Sequence, residues 1–88
     1  MDSKVIRTIE SKKNAHLYEL MEDRIRITDS SGTKEVFVPD DSQYSICFCD
    51  IFYMGQKLYV IVASRVGFDM KYEIDEDKLV LQNPTPFK

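Results

Sequence analysis

Two neighbouring segments in the middle of the chain are apolar on both of their faces if they form β-strands. The stretch Ser45–Arg65 reads SICFCDIFYMGQKLYVIVASR, and Gly55 joins its two runs of β-branched and aromatic residues. Gly55-Gln56 predicts a two-residue loop of type II′, because glycine readily adopts the positive φ that the first position requires. An antiparallel hairpin in a small domain usually has one dry face and one wet face. The second apolar face must therefore be buried from solvent by other residues, and this requirement constrains the fold.

The loop sets the register of this hairpin, and side chains alternate between its two faces. One face is aliphatic and pairs Tyr53 with Leu58, Ile51 with Val60, Cys49 with Val62 and Cys47 with Ser64. The other is aromatic and pairs Phe52 with Tyr59, Asp50 with Ile61 and Phe48 with Ala63. We expect the aliphatic face to form the core and the aromatic face to meet a partner.

The length of the chain limits what covers the second face. A chain of 88 residues makes one domain that buries roughly 60 to 65% of its unfolded surface, which disfavours a three-layer core. The cover is the rest of the chain in a small barrel or two-layer sandwich, an N-terminal helix, or a second copy. Hydrophobic residues make up 43% and charged residues 31%, as in folded globular domains.

A second hairpin is predicted around the turn cluster Asp29–Gly32. A four-residue loop pairs Arg26 with Glu35 on a wet face and Ile25 with Val36 on a core face. Both pairs are chemically consistent with their faces.

Residues 68–74 alternate between apolar and polar side chains, which predicts a half-exposed strand with Phe68, Met70, Tyr72 and Ile74 facing inward. The following Glu76-Asp77 predicts a two-residue turn that sets Ile74 opposite Leu79.

The two ends of the chain are less regular. Residues 3–22 fit either two short strands or one helix, and we favour strands because Lys12, Lys13 and Asn14 interrupt the helical stripe. The β domain is predicted to span residues 1–82, and residues 83–88 to form an extended, proline-containing tail. In that tail Phe87 is either disordered or anchored in a groove of this chain or of its neighbour.

A faint internal echo suggests two similar halves. Leu17-Tyr18 matches Leu58-Tyr59 at a spacing of 41 residues. Each half is then a four-strand meander, and a duplication is a hypothesis to test.

The charge distribution bears on partners and compartment. The net charge is −3 and the pI is near 5.0, which argues against a nucleic-acid or anionic-membrane partner. The sequence shows neither an apolar signal segment nor a run of about 18 apolar residues. We therefore expect a cytoplasmic protein.

Few residues suggest chemistry. Cys47 and Cys49 alone do not complete a four-ligand zinc site, and His16 is the chain's one histidine, so we expect free thiols and no metal. Asp50 among aromatic residues needs an ion-pair or backbone partner, a bulge, or exposure to solvent.

The sequence thus predicts a mainly β fold: a small antiparallel meander forming a barrel-like or two-layer sheet, with one short N-terminal helix as the alternative. The predicted function is that of a non-enzymatic interaction or accessory protein, homodimeric through an apolar sheet face, without a cofactor. Two alternatives stay open. One is a ligand- or single-stranded nucleic-acid-binding module using the aromatic face; the other is an acidic inhibitor or immunity-type protein in which Asp40, Asp41 and Asp50 imitate nucleic acid. The candidate interface residues are Phe48, Asp50, Phe52, Tyr59 and Phe87.

Overall fold

A computed structural model of the chain describes residues 4–39, 45–64 and 67–87. These residues form eight β-strands and no helix, which confirms the mainly β prediction and the strand interpretation of the N-terminal segment. The strands are β1 (Arg7–Glu10), β2 (Leu17–Leu20), β3 (Arg24–Asp29), β4 (Gly32–Phe37), β5 (Ser45–Met54), β6 (Lys57–Ser64), β7 (Asp69–Asp75) and β8 (Val80–Phe87).

The strands build two antiparallel four-stranded meanders. The first sheet has the order β1-β2-β3-β4 and the second the order β5-β6-β7-β8. Their inner faces share one core, so the fold is a two-layer sandwich and not a closed barrel. The core residues are Tyr18, Leu20, Ile25 and Ile27 from the first sheet, and Phe48, Ile51, Leu58, Val60, Val62 and Ile74 from the second.

The first sheet has the dry and wet faces that its sequence predicts. Arg26 lies opposite Glu35 and Ile25 opposite Val36, as expected for the β3–β4 hairpin. Ile25 is buried in the core, whereas Arg24 and Glu35 form an ion pair at 3.0 Å on the outer side.

The β5–β6 hairpin also turns where predicted. Gly55 has a φ of 66°, whereas Gln56 is not among the described residues with positive φ, so the loop has the glycine conformation of a type II′ turn. The rungs near the turn are confirmed and pair Tyr53 with Leu58, Phe52 with Tyr59, Ile51 with Val60 and Asp50 with Ile61.

Farther from the turn, bulges change the register of β5. Cys49 is an extra residue between Phe48 and Asp50, and Ile46 is another between Ser45 and Cys47. The predicted rungs of Cys49 with Val62, of Cys47 with Ser64 and of Phe48 with Ala63 are therefore wrong. The structure instead pairs Phe48 with Val62 and Cys47 with Ala63.

The bulge has a physical reason, because it puts the larger apolar side chain inside. Phe48 is 1% exposed, and burying such a ring stabilises the fold by about 2 to 3 kcal/mol, more than a cysteine contributes. The N–H of Phe48 donates a 2.8 Å hydrogen bond to the carbonyl of Glu22, which ties β5 to the β2–β3 turn of the first sheet.

The β7–β8 turn is longer than predicted. Ile74 lies opposite Leu81 and not Leu79, so residues 76–79 form the loop. Phe68 precedes β7 and is exposed, whereas Ile74 is buried as predicted. The longer loop brings Glu76 inside, where its side chain is 6% exposed.

The proline-containing end does not leave the sheet. β8 continues to Phe87, which lies opposite Asp69, and Pro86 lies opposite Met70. Pro84 and Pro86 are tolerated because β8 is an edge strand, where nitrogens two residues apart both point away from β7. The extended conformation is therefore that of a paired strand.

Candidate interaction surface on the second sheet

The second sheet has an outer face, turned away from the core, that carries both aromatic and charged side chains. We define this outer face by Asp50, Phe52, Tyr59, Ile61, Lys71 and Phe87. They come from all four strands of the sheet, because β5, β6, β7 and β8 each present alternate residues on this side.

Three rings of the outer face lie together. The ring centroids of Phe52 and Tyr59 are 6.2 Å apart, and those of Phe52 and Phe87 are also 6.2 Å apart. Lys71 places its ammonium 4.7 Å from the centroid of the Tyr59 ring, within the range of a cation–π contact. The three rings therefore form an aromatic cluster, and the Lys71 ammonium lies over the Tyr59 ring.

A bulge in β8 explains why Phe87 belongs to this cluster. Lys71 lies opposite Thr85 and Glu73 opposite Gln82, so β8 has one more residue than β7 over this interval. Asn83 has a φ of 52°, a conformation that asparagine tolerates better than most residues. Without the extra residue, strand alternation would turn Phe87 to the inner side; with it, the ring reaches Phe52.

Ile61 shows that the chain itself partly covers the outer face. It lies at the centre of the face, between Asp50 on β5 and Lys71 on β7, yet it is only 4% exposed. The contact between Phe52 and Phe87 joins strands that are separated by β6 and β7. Side chains of the neighbouring strands therefore shield Ile61, while Phe87 remains 38% exposed.

Asp50 satisfies its carboxylate without leaving the face. Its Oδ1 accepts a 2.9 Å hydrogen bond from Nη1 of Arg7 and a 2.8 Å bond from the N–H of Ile51. Its side chain is 46% exposed and follows the bulge at Cys49. The ion-pair partner, the backbone partner, the bulge and the exposure that the sequence offered as alternatives thus occur together.

The structure brings together four of the five candidate interface residues. Asp50, Phe52, Tyr59 and Phe87 share the outer face, whereas Phe48 points into the core, since the bulge at Cys49 reverses its direction. Asp40 and Asp41 lie outside the described residues.

A buried polar cluster, which sequence reasoning missed, lies elsewhere in the fold. Oε1 of Glu76 accepts hydrogen bonds from the hydroxyls of Ser11 at 2.7 Å, Tyr53 at 2.8 Å and Tyr18 at 2.9 Å. The carbonyl of Glu76 accepts a further bond, at 3.3 Å, from the amide of Asn14. The cluster joins the β1–β2 loop, β2 and β5 to the β7–β8 turn.

Burial keeps the two phenols of this cluster protonated. Loss of solvent around the phenol raises the pKa of Tyr18, and the bond to Glu76 raises it further. The pKa of Tyr53 is raised as well, first by burial. Both phenols therefore keep their protons as donors to Glu76, and the cluster links the two sheets. The acidic Glu76-Asp77 pair gave no such signal, because it reads as a solvated turn.

The remaining chemical candidates lie apart. Both cysteines are free, with Cys49 exposed and Cys47 half-buried, and burial of the thiol followed by its neighbour Cys47 raises the pKa of Cys49. His16 lies 3.4 Å from Asp29, measured from Nε2 to Oδ2. Within residues 4–39, 45–64 and 67–87, no three His, Cys, Asp or Glu side chains are grouped to hold a metal ion.

Comparisons of the chain with models of known families, with curated proteins and with solved structures give no match. In the described part of the chain, no helix is long and apolar enough to cross a membrane.

Proposed function

We propose that this chain is a small non-enzymatic interaction protein whose outer face on the second sheet binds another protein. The observation that supports this proposal is the cluster of Phe52, Tyr59 and Phe87, which is assembled from three strands and only partly covered. Aromatic residues are enriched at the centres of protein interfaces, and polar residues form their rims. Asp50 and Lys71 supply such a rim here.

The placement of the titratable groups supports a non-enzymatic role. His16 pairs with Asp29 at the β1–β2 loop, whereas Asp50 pairs with Arg7 near the other end of β1. Four residues of strand, or roughly 13 Å, separate Arg7 from the loop residue Ser11. A nucleophile, a base and an orienting group do not converge among these residues, as acid–base and covalent catalysis require.

The two alternative functions have weaker support. The outer face carries Asp50 and, on the same side of β7, Glu73 beside Lys71, a mixture poorly suited to a phosphate backbone. Mimicry of nucleic acid relies on unpaired negative charge, and Arg7 partly neutralises Asp50. The face therefore suits a protein partner better than a nucleic acid, and mimicry of nucleic acid toward a basic target has less support.

Affinity capture with matched surface variants tests this proposal. The purified chain, tagged at its N-terminus, is compared with the double variant Phe52→Ser/Tyr59→Ser and with Phe37→Ser. Phe37 is 55% exposed in β4 of the first sheet, so its variant removes an exposed ring elsewhere. A protein captured by the natural chain is then purified, and its binding to each purified variant is measured. We expect this binding to be lost in the double variant and kept in Phe37→Ser.

Circular dichroism must show that both variants are folded. Equal binding by all three proteins would contradict the proposal, since the partner would then contact another surface.

A further inference from the structure

We propose that a second copy of this chain occupies the outer face, related to the first by a two-fold axis that runs parallel to β6 above Ile61. The inference rests on the proposed function and names the partner. It depends on the opposite charges of Asp50 and Lys71 on one rung of the second sheet, which pair between copies for one of the two axes in the plane of the face.

Three residues on one rung carry the argument. Asp50 on β5, Ile61 on β6 and Lys71 on β7 are consecutive Cα partners. The rung therefore has a negative end, an apolar centre and a positive end. The two charged residues lie two strand spacings apart, roughly 10 Å between backbones, and Asp50 bonds to Arg7 on its other side.

A two-fold axis along β6 pairs these charges between copies. With two outer faces in contact, this rotation lays β5 of one copy over β7 of the other. Asp50 of each copy then faces Lys71 of the other, while the Tyr59 rings of the two copies meet near the axis and Ile61 stays buried beneath the neighbouring side chains. Such an isologous contact repeats each favourable pair twice.

The other two-fold axis in the plane of the face is disfavoured by the same residues. An axis along the rung, perpendicular to the strands, lays β5 over β5 and β7 over β7. Asp50 then faces Asp50, and Lys71 faces Lys71. Juxtaposed like charges suppress a wrong arrangement, so the charges select the axis along β6.

The size of the face predicts a weak dimer. Four strands of about seven residues cover roughly 19 by 23 Å, which is close to half of the roughly 800 Å² per partner that standard interfaces bury. A self-association constant in the micromolar range is therefore expected, and it should weaken with added salt because two exposed charge pairs contribute.

Charge reversal followed by mixing tests the geometry. Sedimentation equilibrium from about 1 to 500 μM, the range that brackets micromolar affinity, is measured for the full chain and for the variants Asp50→Lys and Lys71→Asp. Each variant alone should dimerise at least tenfold more weakly than the natural chain. An equimolar mixture should recover dimers within about threefold, because a heterodimer then has two opposite-charge pairs. Glu10→Lys and Lys34→Asp, which make the same charge changes on exposed residues of the first sheet, should leave dimerisation unchanged.

The variant Arg7→Ala separates the intermolecular charge from the internal ion pair. It removes the bond to Asp50 but keeps the carboxylate, so the dimer should persist. A monomer at 500 μM, or two variants whose mixture stays as monomeric as its components, would overturn the inference.

The inference of a second copy can fail while the proposed function stands. If the natural chain is a monomer but the capture experiment yields a different protein whose binding depends on Phe52 and Tyr59, the second copy is excluded and the interaction surface stands.

Discussion

The hydroxyl of Tyr18 donates a 2.9 Å hydrogen bond to Oε1 of Glu76, and this bond connects the first sheet to the β7–β8 turn of the second. Tyr18 has no exposed surface, and Glu76 is the buried charged residue of the described chain. A buried carboxylate is costly unless its oxygens are bonded. The network therefore stabilises one arrangement of the two sheets because other arrangements would leave its polar groups unsatisfied.

Substitutions in this network should destabilise the fold to different extents. Tyr18→Phe removes one donor and should cost about 1 to 2 kcal/mol, whereas Glu76→Ala leaves three hydroxyls without their acceptor and should cost about 3 kcal/mol. Glu76→Gln keeps a carbonyl oxygen and should fall between the natural chain and Glu76→Ala. Urea unfolding gives these free energies, and equal losses in all three variants would contradict the network.

The raised pKa of Tyr18 predicts a loss of stability in alkali. An unfolded tyrosine ionises near pH 10, but the folded phenol keeps its proton above that pH because it is buried and bonded to Glu76. The stabilising effect is therefore complete below about pH 10 and is lost as the pH rises, by up to about 1.4 kcal/mol per unit.

Absorbance at 295 nm should show this delayed ionisation in the natural chain, and stability between pH 9 and 11 should fall less steeply in Tyr18→Phe. Tyr53 also has a raised pKa, so the absorbance and stability of Tyr18→Phe are compared with those of Tyr53→Phe over the same pH range.

Local patterns predicted the pairing near two of the turns but not at the β7–β8 turn, and longer-range packing decided the rest. Gly55 and the Asp29–Gly32 cluster set the registers of two hairpins correctly, because turn chemistry acts over a few residues. The bulge at Cys49 forms because it allows the Phe48 ring to be buried in the core against the first sheet. Counting alternate residues along one strand cannot predict this bulge, because the count takes no account of the packing between the two sheets.

The candidate surface was likewise predictable only in part. Phe52 and Tyr59 lie on one rung close to Gly55, so counting placed them correctly. Phe87 joined them through the bulge at Asn83, which a proline-rich segment does not reveal. The echo of Leu17-Tyr18 in Leu58-Tyr59 is out of phase in the structure, since Tyr18 points into the core, whereas Leu58 and not Tyr59 does so in the second sheet.

Truncation of Phe48 should destabilise the fold more than truncation of Phe52. Phe48→Ala removes a core side chain that is 1% exposed and should cost about 3 to 4 kcal/mol through lost burial and the cavity left behind. Phe52→Ala removes a partly exposed ring of the outer face and should cost about 1 kcal/mol or less. Guanidinium unfolding of the two variants compares them directly. A larger loss of stability for Phe52→Ala than for Phe48→Ala would contradict the assignment of Phe48 to the core and of Phe52 to the outer face.

Cys49 should be the first thiol to react, but slowly. It is exposed, whereas Cys47 is half-buried; the raised pKa of Cys49 lowers its thiolate fraction at neutral pH. Reaction with dithiobis(nitrobenzoate) should therefore be slower than that of a free thiol at pH 7 and should accelerate above pH 9. Mass spectrometry after partial labelling should find the label on Cys49, and Cys49→Ser should remove the first phase. First labelling of Cys47 would contradict the register of the bulge.

The conformation of Asn83 should control the position of Phe87. Asn83→Gly keeps access to a φ of 52° and should change stability by only a few tenths of a kcal/mol, whereas Asn83→Val places a β-branched residue in that conformation and should cost about 1 to 3 kcal/mol. In the natural chain and in Asn83→Gly, nuclear Overhauser effects between the rings of Phe52 and Phe87 should be present, because their centroids are 6.2 Å apart. Asn83→Val should weaken or abolish them, since the strand relieves its strain by losing the bulge and turning Phe87 away from the outer face. Unchanged ring contacts in Asn83→Val, at unchanged stability, would show that the bulge does not direct Phe87.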